Sequence, residues 1–246
     1  MRSFGTAVVI AGLLITGLAT LVFAEPPIVY EMAALDLSII PVAALSNQGK
    51  VEATKTAATR LQSQWTIFFT SAKDAFPGDK EWTTGLETVK NGIAEAVQAA
   101  QKGNVMKVHE VLEDVRNTME VLREKRNLVY YLDGFSKFRR VLEKTTAFLH
   151  GKKASDLTDA DIRFISSMVP ALKSSWASVQ AANLNADLFH LDTAKMAEIR
   201  SAMDAVQKNI AKLESVATGG TPDQVFESLN LLKPSLKKAF LMFAEI

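Results

Sequence analysis

Leu86, Val89, Ile93, Ala96, Ala100 and Gly103 are followed, 117 residues later, by Met203, Val206, Ile210, Leu213, Ala217 and Gly220. Steps of three and four residues place each set on one face of a helix. The same offset continues beyond the glycines: Val108, Leu112, Val115, Met119 and Leu122 fall on Val225, Leu229, Leu232, Leu236 and Ala239. Upstream, LQSQW ending at Trp65 matches LKSSW ending at Trp176 at an offset of 111, and IVYEMAAL (28–35) more weakly resembles LVYYLDGF (128–135) at an offset of 100. One such match can arise by chance. Three in chain order, with offsets drifting as loops change length, point to a duplicated unit.

That repeat fixes the expected class as all-α. Glycine and proline are sparse, apolar spacing is helical almost throughout, and no alternating strand pattern stands out. Breaks fall at Ser46-Asn47-Gln48-Gly49, Phe76-Pro77-Gly78-Asp79, Gly103-Asn104, Gly151-Lys152-Lys153, Asn183 to Asp192 and Thr218-Gly219-Gly220-Thr221-Pro222. They predict helices near 28–46, 50–73, 82–102 and 105–126, then 128–150, 159–182, 193–217 and 222–244. Short connections favour two tandem up-down-up-down four-helix bundles, over 25–126 and 127–246. With no Gly or Pro between Val105 and Asp133, the fourth helix is expected to run straight into the fifth. Pro41 and Pro170 sit inside helices and are expected to kink them around the core.

Residues 1–24 read differently. Arg2 precedes an apolar run from Ala7 to Ala24, and Val22-Phe23-Ala24 offers small residues at the positions a signal peptidase reads. The expectation is a secretory signal cleaved after Ala24, with an uncleaved membrane anchor as the alternative, because an 18-residue run is long for a signal. Both place the body outside the cytoplasmic membrane, in a bacterial periplasm or secreted. The chain carries 28 Lys and Arg against 27 Asp and Glu, which gives no electrostatic reason for a nucleic-acid partner. It has no cysteine. Disulfides, thiol catalysis, iron–sulfur ligation and covalent haem attachment are thereby excluded.

The stretch VHEVLED, 108–114, comes one residue short of a zinc-protease helix. That motif needs histidines at i and i+4, but the second position here is Glu113 and no later motif supplies a third ligand. The repeat places His109 on Phe226, Glu110 on Glu227 and Glu113 on Asn230, so His109 is expected on the half-buried flank of an apolar seam. Glu113, Arg116 and Glu120 continue at helical spacing, a pattern expected of a solvated face. His150 beside Gly151-Lys152-Lys153 and His190 in ADLFHLD do not converge with it in this reading, and the scattered methionines read as core fillers.

An exported four-helix bundle resembles the periplasmic cytochromes of the c-prime and b562 type. That resemblance implies a haem held between helices. The covalent Cys-x-x-Cys-His motif is absent; the b-type arrangement pairs a Met early on the first helix with a His late on the last. Met32 matches the first position, but His109 opens its helix, which would put the two at opposite poles, about 20 Å apart at the helical rise.

YYLDGFSKFRR, 130–140, combines Tyr130, Tyr131, Phe135 and Phe138 with Asp133 and a basic run. It reads either as packing at the junction of the two units or as a ligand or partner patch formed by Tyr130, Tyr131, Asp133 and Phe135. No nucleophile with a base, phosphate-binding glycine loop or spaced carboxylate pair is evident. The leading expectation is a non-enzymatic binding or interaction protein with an envelope partner, accessory to a membrane or redox system. The alternative is a metal- or haem-binding bundle in which His109, Glu113, Tyr131 and Asp133 contribute ligands.

Overall fold

A computed structural model describes residues 26–243, and the predicted signal segment lies outside the described residues. The described chain is all-α: α1 Pro27–Asn47, α2 Val51–Ala72, α3 Lys80–Gln101, α4 Val105–Glu124, α5 Tyr131–Thr146, α6 Asp159–Ala181, α7 Thr193–Ala217, α8 Pro222–Asn230 and α9 Leu232–Leu241. Three single 3₁₀ turns, Ala147–Leu149, Ala154–Asp156 and Asp187–Phe189, lie in the second half.

The helix ends follow from local chemistry. Gly103 takes φ +73°, which lets its own N–H bond the Ala100 carbonyl and the Asn104 N–H bond Ala99, both at 2.9 Å, closing α3. Asn104 then caps α4 by accepting the Lys107 N–H at 3.1 Å. Thr158 and Thr221 open α6 and α8 in reciprocal capping boxes with Asp161 and Gln224. Asp79 caps α3 by accepting the Trp82 N–H at 2.9 Å, and that hydrogen bond holds its carboxyl below the usual carboxylate range. The buried Trp82 indole reaches back to donate to Ala72, the last residue of α2, at 2.7 Å. Arg126 pairs with Asp79 and lies over the Phe76 and Trp82 rings, so the turn after α4 clamps the same corner.

Two expectations are corrected. The fourth helix does not run into the fifth: α4 ends at Glu124, Asn127 adopts φ +52°, and the Leu128 N–H returns to the Arg123 carbonyl at 3.0 Å. Asparagine is among the few residues besides glycine that tolerate this conformation, so a stop was present without a Gly or Pro. The last helix is not continuous over 222–244 either. Pro234 has no N–H for the Asn230 carbonyl, and the chain divides at Leu231 into α8 and α9. In contrast, α1 and α6 continue through Pro41 and Pro170.

Packing closes two rings of helices. In the first half α1 lies on α2 and α4, α2 on α3, and α3 on α4; in the second α5 lies on α6, α6 on α7, α7 on α8 and α9, and α9 on α5. All the apolar residues paired at offset 117 between Leu86 and Ala239 are buried in both halves, as are Leu61, Trp65, Leu172 and Trp176. Each valine, leucine, isoleucine or methionine among them contributes roughly 1.5–3 kcal/mol by burial. The weaker match at offset 100 is reflected in part: 31–35 and 131–135 are both helical, with Met32, Leu35, Leu132 and Phe135 buried, but Ile28 to Tyr30 are helical whereas Leu128 to Tyr130 precede α5.

One helix of the first ring also touches the second half. α1 has the length and apolar composition of a membrane span. Yet Val29, Met32, Leu35, Asp36, Ile39 and Ile40 are all buried, because α2, α4 and the Asp187–Phe189 turn cover its different sides. A helix apolar all round needs such cover in water. A single apolar core therefore runs through both halves.

Candidate functional site

The halves meet along α4 and α5 through charged side chains. Arg139 donates to Glu113 at 2.6 Å and to Glu143 at 3.3 Å; Arg140 grips both oxygens of Glu120 at 2.7 and 2.6 Å; Lys137 reaches Glu124 at 2.8 Å. The stripe Glu113, Arg116, Glu120 is thus not a solvated face, since Glu120 is only 3% exposed. The spacing of the stripe was readable, but which element it faced was not: an ion-pair ladder across a junction has the same helical period as a wet surface.

Deeper in the seam Arg123 forms a bidentate pair with Asp133, at 2.9 and 2.5 Å, and lies over the Tyr130 ring at 4.3 Å. Burial works against the Arg123 charge, but the Asp133 carboxylate outweighs it and drives the Arg123 pKa up. Asp36 on α1, 3% exposed, adds a second carboxylate beside this cluster. Tyr130 Oη is buried without a well-formed hydrogen bond; burial, and then the Asp36 charge, push its pKa far above the ordinary phenol value. The Tyr131 hydroxyl donates to Met203 Sδ at 3.2 Å, and burial pushes it up to about 12.

Beside the seam, α1, α4, α5 and α9 enclose a cleft of about 240 Å³. Its apolar lining includes Ile40, Leu112, Phe135, Leu142, Leu236 and Phe240, and its charged lining is Arg116, Arg139, Lys233, Lys237, Glu113 and Glu143. Glu113 and Glu143 both take hydrogen bonds from Arg139. Among the described residues no carboxylate lies within ion-pair distance of Arg116, Lys233 or Lys237. Arg116 is half-buried: it donates to Ser136 Oγ at 3.3 Å and stacks on Phe240 at 4.4 Å. Burial lowers its pKa, Asp36 offsets this in part, and Arg139 and Arg123 add to it.

The residues proposed from sequence part company here. His109 and Glu113 do come together, 3.5 Å apart on the cleft wall, with His109 on the half-buried flank and Phe226 likewise half-buried. Arg139 occupies the same Glu113 carboxylate, however. Tyr131 and Asp133 are engaged elsewhere, with Met203 and Arg123, so the four do not converge as a ligand set. Among the described residues no three His, Asp or Glu side chains gather as a metal site requires. The haem pair implied by the cytochrome resemblance is not assembled either. His109 shares the cleft lining with Ile40, Ala43, Ala44 and Asn47, whereas Met32 lies outside it, about 12 Å along α1 from Ile40 at the helical rise.

Tyr130, Tyr131, Asp133 and Phe135 are all buried, between 2% and 7% exposed, which is the placement of junction packing; of these, Phe135 reaches the cleft. Phe135 also packs edge-on against Trp176 at 5.7 Å. Sequence reasoning missed Asp36, Arg123 and the α9 lysines. Asp36 did carry a signal, as the sole charge in the apolar run MAALDLSII, since such a residue needs a cationic partner. Compared with family models, curated proteins and solved structures, the chain matches none.

Proposed function

We propose that this chain is an exported, non-enzymatic binding protein of the periplasm, accessory to a membrane or redox system, made of two four-helix bundles that arose by duplication. The cleft at their junction is its binding site. The observation that carries this reading is the set of helices around the cleft. They are the first and last members of each ring, α1 with α4 and α5 with α9, so the site lies where two like surfaces face each other. Duplication is further supported by the shared burial of the offset-117 positions. Export rests on the N-terminal pattern of Arg2 followed by the apolar run to Ala24.

The lining supports binding over catalysis. Ser136 accepts from Arg116, and no serine or threonine hydroxyl in the cleft shares a hydrogen bond with a histidine among the described residues. A mostly apolar cleft with a few convergent polar groups is the usual form of a small-molecule site. Native mass spectrometry of protein purified from the periplasm, under gentle conditions, tests the reading. The expected result is a mature chain beginning at Glu25 with a fraction carrying a small ligand. A chain retained in the cytoplasm with Met1 intact, and free of ligand, would refute it.

A further inference from the structure

We infer that the cleft selects a small monocarboxylate with a compact apolar body, and that Arg116 is the group that holds its carboxylate. This deepens the binding reading above and rests on it.

The size of the site comes first. About 240 Å³ is below the roughly 300–1,000 Å³ typical of sites for drug-sized ligands, so the occupant is small. The composition comes next. Ile40, Leu112, Phe135, Leu142 and Leu236 form a wall that rewards burial of a ring or a short alkyl chain. A strongly hydrated oxyanion such as phosphate would gain nothing from that wall.

The charges then select the sign and number. Every other arginine of the junction is spoken for: Arg123 by Asp133, Arg139 by Glu113 and Glu143, Arg140 by Glu120. Among the described residues Arg116 alone of these makes just one hydrogen bond, to Ser136, although a guanidinium carries five N–H donors in a fork that fits a carboxylate. Its stacking on Phe240 fixes the plane of that fork beside the apolar wall. Burial disfavours its charge, Asp36 offsets this only in part, and Arg139 and Arg123 add to the penalty, which a bound anion would relieve. On the rim, Lys233 and Lys237 of α9 add positive potential, while Glu113 and Glu143 are held by Arg139. Among the described residues Arg116 is the one half-buried cation at the apolar wall without a carboxylate partner, the two lysines being exposed at the rim, and that matches one buried carboxylate on an apolar body.

Isothermal titration with benzoate and octanoate, against their neutral counterparts benzyl alcohol and octanol, tests the inference at fixed ionic strength. The carboxylates should bind at least about tenfold more tightly than the alcohols, as expected for a charge-assisted hydrogen-bond pair. Arg116→Gln should lose that advantage, and Arg116→Lys, which keeps the charge but not the fork, should lose most of it. Should the Arg116 variants fail to fold by circular dichroism, Lys233→Gln with Lys237→Gln provides a second route. Both lysines are exposed, and their joint loss should weaken carboxylate binding by about two- to threefold with no change for the alcohols. Alcohols that bind as well as the carboxylates would overturn the anionic class while leaving the cleft as a binding site. Carboxylate affinity unchanged in the variants would overturn the role of Arg116. If neither class of probe binds the folded protein, the inference fails. The broader binding reading then stands or falls separately on whether native mass spectrometry shows a co-purified ligand.

Discussion

The two halves bury the same pattern of residues but join their last helices differently. In the first half α3 and α4 approach closely because Gly85 and Gly92 face α4. A Cβ at Gly85 would lie 2.5 Å from the Leu122 side chain, and one at Gly92 would lie 2.6 Å from Val115. In the second half the residues 117 positions later are Ala202 and Asn209. There the last helix is broken at Leu231, and Asn209 lies 3.4 Å from the Leu231 carbonyl. The continuous α4 supplies Arg116 to the cleft, and the redirected α9 supplies Lys233, Leu236, Lys237 and Phe240. The fourth wall of the cleft is thus furnished where the two halves differ, at the helix break of the second half.

The largest expected effect lies at the seam between the halves. Arg123→Met leaves Asp133 buried without its partner and should cost about 3–5 kcal/mol in urea denaturation, whereas adding Asp133→Leu should recover most of that loss. A loss below about 1 kcal/mol for the single variant would mean that the seam does not hold the halves together. Alkaline pH probes the same junction from the tyrosine side. The Tyr131 pKa is raised in the folded state, to about 12. Protection of its neutral form is therefore full below the unfolded value near 10 and is lost as pH rises through about 12. Over that window stability should fall by about 2–3 kcal/mol from this group, with further loss from Tyr130, while ultraviolet titration shows both phenols ionising late.

Next in size is a test of the close approach. Gly92→Ala should cost about 1–3 kcal/mol through overpacking against the stiff Val115 side chain, less up to about 1 kcal/mol regained in helix propensity. Asn209→Ala, at the corresponding position of the second half, should change stability by no more than about 0.5 kcal/mol. Equal losses at both positions would remove the distinction drawn between the halves. The smallest effect is His109→Ala. Its side chain is 35% exposed and its closest charged partner, Glu113, keeps Arg139, so a shift within about 0.5 kcal/mol is expected. Metal content measured by inductively coupled plasma mass spectrometry should also be the same before and after the change.

Much of this architecture was legible in the chain. The break points at Gly49, Gly78, Gly103 and Gly151 were readable because a left-handed residue or a cap is a local requirement with a short sequence signature. The core was readable because the offset-117 pattern records it twice. The Asn127 stop was less visible, since asparagine ends a helix only where the chain turns back on itself. Pro234 was visible, but its consequence was not, because Pro41 and Pro170 are accommodated within continuous helices. For the candidate site, the sequence pointed to His109 and Glu113 but not to the cleft they border. Arg116, Lys233 and Lys237 look like ordinary surface cations until α9 is placed against α5, and that placement depends on contacts between residues about a hundred positions apart.

The first and last helices of the two rings share one cleft. A methyl-resolved nuclear magnetic resonance titration of the folded protein with octanoate shows whether it is where a ligand binds. Shifts concentrated on Ile40, Leu112, Leu142 and Leu236 are predicted, with Leu86, Ile93 and Leu172 unmoved. Shifts spread through the α2–α3 or α6–α7 core, or none at saturating octanoate, would contradict it.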